Sequence, residues 1–424
     1  MGERLVIAAA ADLHLNISKY KGVTDNVYVD TPFRHADFMN SFSWIIDKIT
    51  NDIKPDLFVI PGDVVDHHIP TNILRGFFSE QLQKLVSCKI PVLILIGNHD
   101  VCSRSHALED ISKLKLKNIV VVEEPKVLKF KGTNLILFPY SMEVEKGNIS
   151  IKEQFVNFIN KTKENKDNSN SLFFGHFGVN GAKINEYDIP KDVDKNCLEK
   201  DDEEKFGFIN RNSKDINLKD LDSIGSDYVI LGDYHQHQRL KTEKCYAMYT
   251  GSIERTDVSE ADHKKGFIVY DSEAEEIKDG LGKCRFIEYP DCRPMLEISG
   301  TLKEMKSKVE KTIPYDKRPI VKVSFVGNSQ EKMDFNIGFD SLKKDIFKKF
   351  NPIHFFHTLK TIGDKVDEEA QEIQDEIMEK GKAGSIALLD VIFESIKEKF
   401  KEEESECEAV TDLAKEIDDS VINS

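Results

Sequence analysis

Leu57-Phe58-Val59-Ile60-Pro61-Gly62-Asp63-Val64-Val65-Asp66 is an apolar run that ends in a glycine turn and two carboxylates. The run reads as a buried strand, with Asp63 and Asp66 in the loop that leaves it. Four other apolar runs likewise end in metal-capable residues, three of them after a glycine. Ile7–Ala11 leads into Asp12-Leu13-His14, and Val92–Ile96 into Gly97-Asn98-His99-Asp100. Leu172–Phe174 leads into Gly175-His176, and Tyr228–Leu231 into Gly232-Asp233-Tyr234-His235.

Helical patterns fall between the first strands. Over Pro32–Thr50, Phe38, Phe42, Ile45 and Ile49 share one face, Thr31 is placed to cap, and Pro32 suits the first position. A second amphipathic helix is expected over Thr71–Val86, between strands at Asp56–Ile60 and Pro91–Ile96. Strand-helix alternation indicates an α/β layered core. Further β-rich segments at 119–122, 134–138, 246–250 and 266–270 suggest a second sheet packed on the first. Ligands of open α/β sheets bind beyond the carboxyl ends of the strands, so the five loops can converge on one crevice.

Carboxylate, amide oxygen and imidazole together suit Mn²⁺, Fe²⁺ or Zn²⁺ better than Ca²⁺. Two such ions about 3.5–4 Å apart bind both non-bridging oxygens of a phosphodiester and lower the pKa of an attacking water. Taken singly, each residue has a plainer reading, since an Asp after a strand often caps a helix and a lone His is often a surface or core residue. An ordered set after five strands points to a metal site.

The order D-x-H, GDxxD, GNHD, GH, G-x-x-H resembles the calcineurin-like metallophosphoesterase superfamily. Within it the pattern is most similar to the SbcD nucleases, which include the nuclease of eukaryotic double-strand-break repair and phage recombination-endonuclease nuclease subunits. Phe138-Pro139-Tyr140, the run from Gly175 to Ala182, the run from Tyr249 to Arg255, and Lys265-Gly266-Phe267 carry the same resemblance. It covers residues 1 to about 290. It implies a four-layer α-β-β-α nuclease core over 1–288, a small α/β accessory domain capping DNA over 289–362, and an acidic helical segment over 363–424. That segment would grip the coiled-coil base of an SbcC-like ATPase. A homodimer is a further family expectation.

Carried over by position, the resemblance gives Asp12, His14 and His235 to one ion and makes Asp63 the bridge. Asn98, His176 and Asp233 complete the second ion's shell. His99 stabilises phosphate charge or protonates the leaving oxygen, and Asp66 and Asp100 orient imidazoles. The family usually has G-H-x-H in its last loop, where this chain has Gly232-Asp233-Tyr234-His235-Gln236-His237. Asp233 is aligned with the first histidine. A slipped loop pairing His235 with His237, or a weak second ion, are the alternatives.

The expected function is therefore a two-metal DNA exonuclease and endonuclease, with Mn²⁺ ahead of Mg²⁺, Fe²⁺ or Zn²⁺. Phosphoprotein phosphatases typically carry GDxVDRG and GNHE, whereas here His67 follows Asp66 and Asp100 follows His99. A small-molecule phosphodiesterase and a non-catalytic protein that tethers DNA ends are the other rivals. Arg34, Arg104 and Arg255 could meet phosphates or simply form surface salt bridges, and His67, His68, His106 and His263 read as surface residues near the site.

Composition sets the wider frame. At 424 residues, two or three domains are expected, and 26 Phe with 40% hydrophobic residues supply a substantial core. Seven scattered cysteines without a zinc spacing fit free thiols in a reducing compartment, and no run reaches membrane-spanning length. A cytoplasmic protein is expected, in a host cytoplasm if phage-encoded. The net charge is −16, but from Lys365 onward 7 Lys face 19 acidic residues, which leaves only −4 for the preceding 364. The acidity describes a tail and neither supports nor excludes DNA.

Gly181–Ser226 reads as a surface excursion. A new module begins near Pro290, with strands at Pro294–Ser299, Ile320–Phe325 and Ile353–Leu359 and helices at 301–313 and 340–350. Its lysines, Lys343, Lys344, Lys348, Lys349 and Lys360, suit a solvated face or a DNA contact. In the tail, Ile386, Leu389, Ile392, Phe393, Ile396 and Phe400 form an apolar helical stripe that needs a partner to bury it.

Overall fold

Each apolar run between turn residues becomes a strand. A computed structural model describes residues 3–17, 19–20, 32–102, 104–164, 170–182, 216–276 and 280–361. Its principal elements begin with β1 (Val6–Ala9), α1 (Phe33–Asp47), β2 (Leu57–Pro61), α2 (Asn72–Ser87), β3 (Val92–Leu95) and β4 (Ile119–Val122). Next come β5 (Lys126–Phe130), β6 (Thr133–Phe138), α3 (Ile151–Glu164), β7 (Ser171–His176) and α4 (Leu218–Ile224). β8 (Tyr228–Gly232), β9 (Gln238–Leu240), β10 (Tyr246–Tyr249), β11 (Gly266–Asp271) and β12 (Cys284–Glu288) follow. The last are β13 (Met295–Gly300), α5 (Leu302–Lys311), β14 (Ile320–Gly327), α6 (Ser329–Phe350) and β15 (His354–Thr361).

Two six-stranded sheets result, ordered β12-β11-β1-β2-β3-β4 and β9-β10-β8-β7-β6-β5. Side chains alternate across a strand, so each sheet has two apolar faces to cover. Ile7, Ala9, Leu57, Val59 and Leu95 of the first sheet pack with Leu137, Leu172, Phe174, Ile230 and Met248 of the second. On the first sheet's other face, Ala8, Phe58, Ile60 and Ile94 meet Phe38, Phe42 and Ile45 of α1 and Phe78 and Leu82 of α2. The second sheet's outer face, with Ile136, Phe138, Phe173 and Val229, is covered by Phe155 and Ile159 of α3 and Leu221 of α4. Three apolar seams thus make the four layers α-β-β-α.

The expected allocation of strands needs correction. Segments 119–122 and 266–271 are β4 and β11 of the first sheet, and only 134–138 and 246–249 join the second. Periodicity within a strand does not encode its partner, and β11 reaches β1 across most of the domain, pairing Val6 with Asp271. α1 ends at Asp47 and continues as a π-helical turn over Lys48–Ile53, closed by Lys54 at φ 49°. Thr31, its expected cap, lies outside the described residues. Thr71 caps α2 by accepting from the Leu74 N–H at 3.4 Å.

The described chain falls into two compact units. Of the described residues, the first comprises those up to Ile298, Lys308–Val323 and Lys343–His357, and the second Ser299–Ser307, Ser324–Leu342 and Thr358–Thr361. β13, β14 and β15 form a three-stranded sheet in that order. α6 starts well before the expected 340, because Asn328 caps it and Gly338 does not break it. That glycine serves close packing, since a Cβ there would stand 2.3 Å from Leu302 Cδ2. Within the expected excursion, Asn217 and Asp220 form a capping box for α4. Residues 183–215 and the segment 363–424 lie outside the described residues. Among the described residues no helix is long and apolar enough to cross a membrane.

Candidate metal centre

The donor loops leave β1, β2 and β3 of the first sheet and β7 and β8 of the second. The first two loops continue side by side through main-chain hydrogen bonds, Asp12 N to Gly62 O at 3.1 Å and His14 N to Asp63 O at 3.1 Å. Asp12, His14, Asp63 and Asp233 all take left-handed backbone, with φ of 52°, 39°, 53° and 102°. Non-glycine residues rarely hold that conformation, and it clusters where surroundings impose it for function. Asp100 ties the second loop to the third by accepting from Val65 N at 3.0 Å and Gly97 N at 2.9 Å. It holds main chain rather than an imidazole, unlike the expectation for it. Gly97 is required by closeness, because a Cβ would lie 2.1 Å from Asp63 Oδ1.

The side chains gather in two groups that meet at Asp63. His14 Nε2 is 2.9 Å from His235 Nε2 and 3.9 Å from Asp63 Oδ2. His176 Nε2 is 2.9 Å from Asn98 Oδ1, 3.3 Å from Asp63 Oδ2 and 4.0 Å from Asp233 Oδ1. Two ligands each about 2.0–2.2 Å from one cation stand about 3–3.5 Å apart, the spacing of the His14–His235, His176–Asn98 and His176–Asp63 pairs.

Two of the three imidazoles have their other nitrogen hydrogen-bonded, and that of His14 lies beside a carboxylate without a hydrogen bond. His14 Nδ1 faces Asp66 Oδ1 at 3.2 Å, His176 Nδ1 donates to the Pro61 carbonyl at 2.8 Å, and His235 Nδ1 donates to Glu260 Oε1 at 2.9 Å. A metal-ligating histidine is ordinarily held this way, with its free nitrogen directed at the ion. Asp12 is fully buried, and its Oδ1 accepts from Asp233 N at 3.0 Å. Its Oδ2 has no hydrogen-bond partner. An orphaned buried acceptor costs about 1–3 kcal/mol, so this oxygen calls for a ligand. The donor set fits divalent cations.

Electrostatics agree. Burial, reinforced by the charge of Asp63, pushes the Asp12 and Asp233 carboxyls up to about 6. Burial acts on Asp63 in the same direction, but His176, His99 and His14 outweigh it and hold that carboxyl well below its usual range. His176 is pushed up to about 10, because Asp63 prevails over burial. Burial lowers His14. Too many carboxylates share one buried space, and a cation is the natural counter-charge.

His99 stands at the edge of both groups. Its main-chain N donates to Asp63 Oδ1 at 3.0 Å, its Nδ1 to the Asp66 carbonyl at 3.0 Å, and its ring lies edge-on to His14 at 4.9 Å between centroids. Asp63 and the Asp66 carbonyl raise its pKa against the opposing effect of burial. His237 is engaged elsewhere, donating from Nδ1 to the Tyr249 carbonyl at 2.7 Å and stacking on Phe286 at 4.0 Å. Asp233, not His237, stands beside His176.

Other expectations resolve differently. Arg34 is 1% exposed and bonds Asp37 at 2.7 Å and the Arg255 carbonyl, so it is a core residue with no path to a phosphate. Asp37 also accepts from Arg293 Nε at 2.5 Å and Nη2 at 2.6 Å. Arg255 donates to the Arg293 carbonyl at 2.9 Å, while Arg104 is exposed. His67 and His68 stack on each other at 4.4 Å, His106 lies 3.4 Å from Glu123, and burial pushes His263 down to about 4. Glu260 and Thr256, which hold His235, escaped the sequence reading, since neither belongs to a motif and only folding brings them to the last loop.

Residues 5–236, more than half of the chain, match the calcineurin-like phosphoesterase family. This chain belongs to that family. The match begins just before β1 and ends at the residue after His235, so this phosphoesterase has all its donor loops within it. Among curated relatives, the SbcD component of the nuclease SbcCD from Staphylococcus epidermidis is 24% identical over 237 residues, covering 53% of this chain and 57% of that protein. The DNA double-strand break repair protein Mre11 from Methanosarcina mazei is 22% identical over 279 residues, covering 63% of this chain and 36% of that protein. The Mre11 protein of Methanosarcina acetivorans is 23% identical over 273 residues, with 61% and 36% covered. The phosphoesterase therefore spans between about a third and somewhat over half of these relatives' lengths.

Proposed function

We propose that this phosphoesterase is a two-metal DNA nuclease of the SbcD kind, acting as exonuclease and endonuclease. The observation that carries the reading is the pair of donor groups sharing Asp63 Oδ2. Asp12, His14 and His235 would hold one divalent cation, Asn98, His176 and Asp233 the other, and Asp63 both, with Mn²⁺ the first candidate. Bound cations would supply Lewis-acid polarisation of a phosphoryl oxygen and lower the pKa of an attacking water. Nuclease activity is drawn from the name of the Staphylococcus epidermidis relative, and DNA as substrate from the names of the two Mre11 proteins.

His99 is the residue we assign to the leaving group. Its Nδ1 is spent on the Asp66 carbonyl, which leaves Nε2 for a substrate oxygen, to neutralise charge or deliver a proton. The Asp63 and Asp66 contacts fix the ring's position beside His14 without making it a ligand. Burial of the surrounding carboxylates keeps bulk water from screening the charges that act on the phosphate.

In this reading residues 1–288 form the nuclease and residues 289–362 an accessory module that helps hold duplex DNA. Residues 363–424 bind the coiled coil of an SbcC-like ATPase, and the protein works as a cytoplasmic homodimer.

End-labelled duplex DNA incubated with Mn²⁺ tests the proposal. Wild type should cleave, and His99→Ala should lose about 10²–10⁴-fold in kcat while still binding Mn²⁺. Hydrolysis of a phosphoserine peptide without DNA cleavage would replace the nuclease with a protein phosphatase. A His99→Ala variant indistinguishable from wild type in DNA binding, with neither protein cleaving, would indicate an end-tethering protein.

A further inference from the structure

Lys265 is a buried lysine, 1% exposed, and its ammonium has three N–H donors to satisfy. All three are used: Glu260 Oε2 at 2.7 Å, Ser252 Oγ at 2.8 Å and the main-chain carbonyl of His235 at 2.9 Å. Glu260 is 2% exposed. Its Oε2 also accepts from Thr256 N at 2.9 Å, and its Oε1 accepts from His235 Nδ1 at 2.9 Å. The ion pair therefore grips His235 twice, once at its carbonyl and once at its ring. A buried ion pair is a poor source of stability, because desolvation offsets the attraction. What this pair fixes is geometry. An ionised carboxylate can only accept, so the His235 proton belongs on Nδ1 and the Nε2 lone pair faces His14 Nε2, 2.9 Å away.

The other two imidazoles are held differently. His176 donates to a main-chain carbonyl, and Asp66, which faces His14, has a side chain 22% exposed. Of the three, only His235 is held by a buried charge that is itself locked by a second one.

We propose that Glu260 and Lys265 are a positioning pair for the metal centre. Glu260 selects the Nδ1–H tautomer of His235 and aims Nε2 at the cation, and Lys265 keeps Glu260 and the His235 main chain in register. The proposal rests on His235 being a ligand, as assigned above.

Two readouts on the full chain test it. In metal-free wild type, ¹⁵N imidazole shifts should show His235 in the Nδ1–H form, and Mn²⁺ titration followed by the electron-spin signal of free Mn²⁺ should give two sites. Glu260→Ala should give a mixture of tautomers and weaken one site about 10–100-fold while sparing the other. Glu260→Gln, which keeps an acceptor but no charge, should fall between. If Glu260→Ala does not fold, Glu260→Gln and Lys265→Met carry the same comparison. A folded variant with a lower unfolding temperature but wild-type tautomer and wild-type Mn²⁺ affinities would reduce the pair to a structural role and overturn the proposal. Wild-type protein that bound no Mn²⁺ would overturn the metal centre itself, whereas two wild-type sites left unchanged by Glu260→Ala would overturn only the positioning pair.

Discussion

The rims of the two sheets bring the same kinds of donor to one place by different means. On the first sheet the donors are set by main chain. Asp12, His14 and Asp63 sit at positive φ, their loops are laced together by backbone hydrogen bonds, and Gly97 leaves room for the Asp63 carboxylate. On the second sheet Asp233 shares the positive φ, but His176 and His235 are set through their side chains, by bonds from Nδ1 to the Pro61 carbonyl and to Glu260. The comparison teaches that the first rim should be fragile to changes in backbone freedom and volume, and the second to changes in hydrogen-bonding partners. Asp63, which both groups approach, should be fragile to any change.

The largest expected effect follows from that shared position. Asp63→Asn should reduce Mn²⁺-dependent hydrolysis to background and disturb both sites in a Mn²⁺ titration. Loss of only one site would mean that Asp63 is not shared. Next in size, Gly97→Ala forces a methyl into space held by Asp63 and should cost about 1–3 kcal/mol of folding free energy, read by denaturant unfolding, together with Mn²⁺ binding. A stable, metal-binding Gly97→Ala protein would show that the first rim tolerates what its geometry forbids.

A pH series on metal-free protein probes both rims together. Asp12 and Asp233 keep their protons up to about 6 in the fold, against 3.8 for a free carboxyl. A folded state that binds more protons than the unfolded chain loses stability as pH rises, here from about pH 4 to 6. His176, at about 10 against 6.5, extends the same decline to higher pH. Asp63 acts in the opposite sense, but its contribution is lost only as pH falls below 3.8. Burial lowers His14 and His263, which act in the opposite sense over the same window. The carboxyl contribution is therefore read as the unfolding temperature of metal-free wild type minus that of Asp233→Asn, which should fall between about pH 4 and 6. Added Mn²⁺ should stabilise wild type at neutral pH. A difference that rose with pH would contradict the buried excess of carboxylates.

The smallest effect belongs to the second rim. Thr256→Ala removes one of two oxygens near His235 Nδ1 and leaves Glu260 in place. Its cost should be about 0.5–1.5 kcal/mol in unfolding free energy, with both Mn²⁺ sites retained.

The donor loops could be read in the sequence because each is local: an apolar strand, in four of the five a glycine, and a polar residue that follows within a few positions. Which sheet a strand joins could not, since β11 finds β1 only after the intervening chain has folded. The same limit hid Glu260 and the role of Lys265, which was visible only as part of a motif; their contacts with His235 span 25 and 30 residues. It also made Arg34 look available to a phosphate, when its partner Asp37 lies one helical turn away and Arg293 arrives from far along the chain. The helix expected at 340–350 begins at Ser329 instead, with Gly338 inside it packed against Leu302.

Anomalous diffraction at the manganese edge, from a crystal soaked in Mn²⁺, tests the central claim most directly. Two peaks should appear, one among Asp12, His14, Asp63 and His235, the other among Asp63, Asn98, His176 and Asp233. A single peak beside His237, or none with Asp63 and His176 turned apart, would contradict the account.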